Sequence, residues 1–141
     1  MRAASLLLAA LVVVSGCSLA DDLSPNRARL QIEGDAGKQV RLIISTEFVA
    51  AVTEGGITRV VIIKSDTVQA TLPYQKEYDI AARQRFFVET ARSAEDLSSL
   101  HMQVFVDSRK QFDESGALKT GQPYRFIYTF NQLITREVVV I

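Results

Sequence analysis

The sequence predicts an all-β domain, an immunoglobulin-like β-sandwich of seven to nine short strands, placed behind an N-terminal leader. Three observations predict it. From Arg27 onward, apolar side chains recur with a period of two, the pattern of strands that bury one face. Several runs are rich in β-branched residues, Ile57 to Lys64 (ITRVVIIK) above all. Gly, Asp, Ser and Pro punctuate these runs at short intervals, as in two packed antiparallel sheets.

Taken in order, Leu30 and Ile32 alternate with Arg29, Gln31 and Glu33, and Gly34-Asp35-Ala36-Gly37 reads as a hairpin turn. Val40, Leu42 and Ile44 alternate with Arg41 and Ser45, although Ile43 interrupts the polar face. Glu47 to Glu54 reads either as strand or as a short helix built on Phe48, Ala51 and Val52. Gly55-Gly56 reads as a second hairpin turn before Ile57 to Lys64. Ser65-Asp66 breaks that run, Val68, Ala70 and Leu72 resume the alternation, and Pro73 ends it.

Arg85 to Thr90 (RFFVET) and Leu100 to Asp107 (LHMQVFVD) read as strands. Between them, Ser93-Ala94-Glu95-Asp96 predicts one helical turn, because a serine followed three residues later by an acid is a helix-start signature. Tyr124, Phe126, Tyr128 and Phe130 alternate with Arg125, Ile127 and Thr129, and Thr135 to Ile141 (TREVVVI) closes the chain. That last run is apolar on both faces. It is expected either at the centre of the sandwich or paired with a partner's edge strand.

The leader begins with Met1-Arg2, and Ala3 to Val14 is apolar apart from Ser5. As a helix this run rises about 18 Å, short of the roughly 30 Å hydrocarbon core, and so fits a signal peptide. Extended through Ala20, it reaches only the short limit of a spanning helix. It ends in Val14-Ser15-Gly16-Cys17, which resembles the lipobox of bacterial lipoproteins. The resemblance implies diacylglycerol on the Cys17 thiol, cleavage between Gly16 and Cys17, and acylation of the freed amino group. Two or three chains anchor stably, since each buried methylene contributes about 0.8 kcal/mol. Ser18, with no aspartate at that position, favours outer-membrane delivery by the sorting rule of enteric bacteria. The expected organisation is a signal peptide over 1–16, the lipidated cysteine and a polar tether over 17–26, and the sandwich over 27–141, in the cell envelope and facing the periplasm.

Composition narrows the function classes. Sixteen basic side chains balance sixteen acidic ones, and the leader removes only Arg2, so the mature domain carries a charge of −1. It offers no electrostatic footprint for nucleic acid. Cys17 is the only cysteine, so a disulfide within the chain is excluded, and lipidation accounts for a thiol in an oxidising compartment. His101 is the only histidine and is expected to face solvent, opposite Leu100, Met102, Val104 and Val106. No metal site and no cofactor is expected, because a metal needs several converging ligands. The pairs Glu95/Asp96 and Asp113/Glu114 are expected in solvated turns. No G-x-S-x-G elbow occurs, and no catalytic residue is identified.

The stripe Tyr124, Phe126, Tyr128 and Phe130 reads chiefly as the inner face of a strand. Its first three residues are also the candidate contacts for an apolar ligand or a partner. Leu72-Pro73-Tyr74 and Val104-Phe105-Val106-Asp107 together resemble the soluble domain of mycobacterial MmpS-type small membrane proteins. Those are immunoglobulin-like sandwiches that accompany large lipid or siderophore exporters. Ser108 stands here for the family's glycine and Tyr74 for its tryptophan, and its paired cysteines are absent. The expected function is a non-enzymatic, lipid-anchored module that binds an envelope protein for a transport or assembly complex. The alternative is a carrier or sensor of a small apolar ligand held between the sheets.

Overall fold

The computed structural model describes residues 24–91, 97–119, 122–132, 134 and 138–141. Nine strands are assigned: β1 (Arg27–Gly34), β2 (Gln39–Val52), β3 (Thr58–Thr71), β4 (Tyr74–Asp79), β5 (Arg85–Ala91), β6 (Leu100–Val106), β7 (Arg109–Gly116), β8 (Arg125–Thr129) and β9 (Val138–Val140). They form a four-stranded sheet in the order β4-β1-β6-β7 and a five-stranded sheet in the order β8-β5-β2-β3-β9. All pairings are antiparallel except β3 with β9. The molecule is a β-sandwich, as the period of two predicts. The expected helical turn at Ser93–Asp96 lies outside the described residues.

Both sheets turn their apolar stripes inward. Ala28, Leu30 and Ile32 of β1 meet Val40, Leu42 and Ile44 of β2, Phe86 and Val88 of β5, and Met102 and Val104 of β6. All of these are buried. On β1 and β6 each of these residues alternates with a polar or half-buried neighbour, which is how a period of two buries one face of a sheet.

Three expectations need correction, one open alternative is decided, and one further strand is found. Gly34 to Gly37 is not a hairpin turn: it carries the chain from β1 in one sheet to β2 in the other, with Gly37 at φ 80°. Gly37 N donates to Leu72 O and Leu72 N to Lys38 O, tying this crossing to the next one, between β3 and β4. Ile57 to Leu72 is not two strands, because β3 runs unbroken through Ser65-Asp66, which are exposed and need no turn to reach water. Glu47 to Val52 is strand, held by its pairing with β3. Asp113 and Glu114 lie on β7, not in a turn, and β4 is a further strand without an alternating apolar stripe.

The last two share a cause. β4 and β7 are the edges of the smaller sheet, so each buries little. Only Phe112 of β7 is not fully exposed, and only Tyr74 and Tyr78 of β4. Charged residues elsewhere on these strands keep the edges soluble and hide the strand pattern.

The β2–β3 hairpin closes at Gly55-Gly56 as expected, with Gly56 at φ 76° and Thr53 N donating to Ile57 O. The β6–β7 hairpin turns at Asp107 (φ 44°) and Ser108 (φ 73°), both left-handed as a two-residue hairpin requires. Asp107 compensates by accepting hydrogen bonds from Asn26 N and Arg27 N, which fixes the start of β1.

Three stability outcomes follow. Leu30→Ala lowers the unfolding free energy by about 2–5 kcal/mol because the cavity lies between sheets, whereas Val61→Ala on an exposed face stays within about 0.5 kcal/mol. Ser108→Gly raises stability by up to about 1 kcal/mol by removing a left-handed side chain. Urea unfolding measures all three.

Candidate functional site

Cys17 and Gly16, the expected lipidation and cleavage residues, lie outside the described residues. Of the candidate contacts, Phe126 is 8 % exposed and its ring meets Phe112 at 5.6 Å between centroids. Tyr124 and Tyr128 are half-buried against the same core. Burial raises the phenol pKa of both above the ordinary value, helped by Glu114 near Tyr124 and by Asp107 near Tyr128. The backbone of Tyr124 exchanges hydrogen bonds with Thr90, which locks the approach to β8.

His101 faces away from the core, as expected, but it is engaged. Its Nε2–H donates to Asp113 Oδ1 at 2.7 Å, and its Nδ1 lies 3.8 Å from Glu33 Oε2. Asp113 Oδ2 also accepts from Lys110 Nζ and from Gln103 Nε2. The Lys110 bond, then those from His101 and Gln103, hold the Asp113 carboxyl well below the usual carboxylate range. The network ties β1, β6 and β7 together on the outer face of the smaller sheet. No group of three metal-binding side chains that could hold an ion is found among the described residues.

The more distinctive geometry lies in the larger sheet. β2 and β3 are each 14 residues long, roughly twice the strands opposite them. Near Ser45 the pairing of β2 with β3 slips between Ile44 and Glu47 and again between Glu47 and Phe48. Ser45 holds this bulge, donating through Oγ to Lys64 O at 2.6 Å and accepting from Glu47 N at 3.0 Å. Beyond it, Phe48 and Ala50 pack with Val60, Phe87, Ile43 and Ile134 in a second apolar cluster. Phe87 and Ile43 point opposite to Phe86, Val88, Leu42 and Ile44, so this cluster sits on the outer face of the sheet.

Alternation then places Val49, Ala51, Arg59, Val61 and Ile63 on the inner face, past the end of the smaller sheet. Val49 and Val61 are directly paired, at 49 % and 48 % exposure, and Ile63 is 67 % exposed. Val52, at the end of the same β2–β3 arm, and Val139 and Ile141, on and just after β9 beside it, complete the exposed large apolar side chains among the described residues. Beyond the last β2–β5 pair, Ser45 with Phe87, side chains satisfy the open edge of β2: Arg85 Nη1 donates to Phe48 O and Gln132 Nε2 to Ala50 O. A polar cleft fills the corner at the root of the arm, lined by Ser45, Thr46, Lys64, Asp66, Tyr78 and Asp79.

The chain matches no protein-family model, no curated protein and no solved structure in comparison with each.

Of the two placements expected for the last run, the central one is excluded: β9 lies at the edge of the larger sheet, parallel to β3. The apolar arm went unread in the sequence, although a signal existed. Phe48 to Val52 and Val60 to Ile63 are apolar at consecutive positions, hence on both faces of a strand.

Asp113 gives a pH test. Its folded pKa is depressed, so its contribution to stability is present above the unfolded carboxylate value of about 3.9 and is lost as pH falls through the folded value. In a carbon-detected NMR titration, Asp113 is expected to stay ionised when the other carboxylates have protonated. Lys110→Met should move its midpoint back up; an Asp113 midpoint in the ordinary range in the unsubstituted protein would refute the assignment.

Proposed function

We propose that this chain is a non-enzymatic cell-envelope lipoprotein. Lipid on Cys17 holds it, facing the periplasm and most consistently at the outer membrane, and its sandwich is a binding or accessory module for a transport or assembly complex. The observation that carries the binding role is a filled core combined with an apolar sheet edge. Phe86, Met102 and Phe126 occupy the space between the sheets, while β9 ends the larger sheet with Val139 at 45 % and Ile141 at 70 % exposure. An edge strand offers backbone hydrogen bonds to an added strand, and its exposed side chains supply the apolar contacts.

The leader supports the anchoring half of the reading, and the MmpS-type resemblance of Leu72-Pro73-Tyr74 and Val104 to Asp107 supports the transport context. The alternative, an apolar ligand between the sheets, needs room that those packed aromatic and methionine side chains now fill.

Two measurements test the two halves. Cys17→Ser should move the protein from the membrane fraction to the soluble one; retention after processing would remove lipid as the anchor. A photo-crosslinking residue at Val139 should give a discrete protein adduct in native membranes, and one at Gln103, on the far sheet, should not. No adduct from Val139 would count against docking at this edge.

A further inference from the structure

The exposed inner face of the β2–β3 arm and the start of the domain lie at the same end of the sandwich. β1 runs from Arg27 to the Gly34–Gly37 crossing, where β2 starts, so Asn26 lies at the end toward which β2 extends. Ile80 N donates to Asn26 O there, beside the close of β4 and the opening of β5. β1 belongs to the smaller sheet, which packs on the inner face of the larger one. The chain leading to Asn26 therefore enters on the side of the arm that exposes Val49, Val61 and Ile63, not on the side covered by Ile134.

Lengths sharpen this placement. From Ser45 to Val52 the arm projects roughly 23 Å at strand spacing. The stretch from Cys17 to Asn26 can reach no farther than about 30 Å. A domain tethered that closely, with the arm at its tethered end, brings the arm against the bilayer. The face turned toward the tether is apolar around Val49, Val61 and Ile63 and carries Arg59; at its root Lys64 stands in register with Glu47, which lies 3.9 Å from Arg83.

We propose that this face lies on the lipid bilayer itself, with Val49, Val61 and Ile63 at the boundary between headgroups and acyl chains and Arg59 against anionic headgroups. The proposal rests on the reading of Cys17 as the lipid-bearing residue. It adds an orientation: the arm lies flat, Val139 beside Arg59 sits at the headgroup level, and the backbone edge of β9 stays open alongside the membrane for a protein partner.

The chain contains no tryptophan, so a single introduced one reports its own surroundings. Full-length lipidated protein carrying Ile63→Trp is reconstituted into phosphatidylethanolamine–phosphatidylglycerol vesicles with and without brominated lipid. Ala36→Trp, in the exposed turn at the opposite end, is the reference. The expected result is blue-shifted emission from Ile63→Trp and loss of most of it with brominated lipid, while Ala36→Trp is unaffected. Protein that floats with the vesicles while Ile63→Trp emits like the reference would overturn the proposal and leave the anchor standing. Emission shielded from iodide but not quenched by bromine, or shielded already without vesicles, assigns the face to a second copy or to the chain's own tether, and also overturns it. Failure to float removes the anchor reading, and the proposal with it.

Discussion

The bulge at Ser45 is the constraint on which the distribution of apolar surface depends. Side chains of a strand alternate between faces, so inserting one residue moves everything beyond it to the other side. Before the bulge, Leu42 and Ile44 point into the space between the sheets; after it, Phe48 and Ala50 point away from that space and join Phe87 and Ile43. The sheet thereby acquires two cores on opposite faces. The buried Ser45 hydroxyl makes the slip affordable by bonding both the Lys64 carbonyl and the Glu47 amide, groups that the displaced ladder would otherwise leave unpaired.

The second core depends on the connection between β8 and β9. These strands occupy opposite edges of the five-stranded sheet, so the chain must cross from one edge to the other. Ile134 on this connection packs against the outer cluster, and Val140 joins it from β9. Gln132 reaches the carbonyl of Ala50. With its outer face covered and its inner face past the end of the smaller sheet, the arm is asymmetric, and that asymmetry gives it a direction.

The two sheets manage their edges differently. The smaller sheet ends on β4 and β7, which are mostly charged and polar and carry the Asp113 network and the Arg27–Glu77 pair. The larger sheet ends on β9, where valines follow one another. Charge on an edge discourages pairing with another strand, whereas an apolar edge permits it. The polar outer face of the smaller sheet thus suits water, while the arm and β9 together carry the exposed large apolar side chains of the described residues.

The sequence by itself determined the central strands. Leu30/Ile32, Val40/Leu42/Ile44, Phe86/Val88 and Met102/Val104 each announce a buried face, because a strand packed between neighbours must alternate whatever its partners are. It determined the edge strands poorly, since Tyr74 with Tyr78, and Phe112 alone, bury too little to set a period. The lipidation proposed at Cys17 rests on local sequence alone, in the run that ends at Val14-Ser15-Gly16-Cys17. Only the tertiary structure decided which apolar positions stay exposed. Val60 and Val61 are adjacent in sequence and alike in chemistry, yet one is fully buried and the other about half exposed. The difference lies in a bulge, in the point where the opposite sheet stops, and in a crossing connection from the far end of the chain. Each of these is a relation between distant residues, which no local pattern contains.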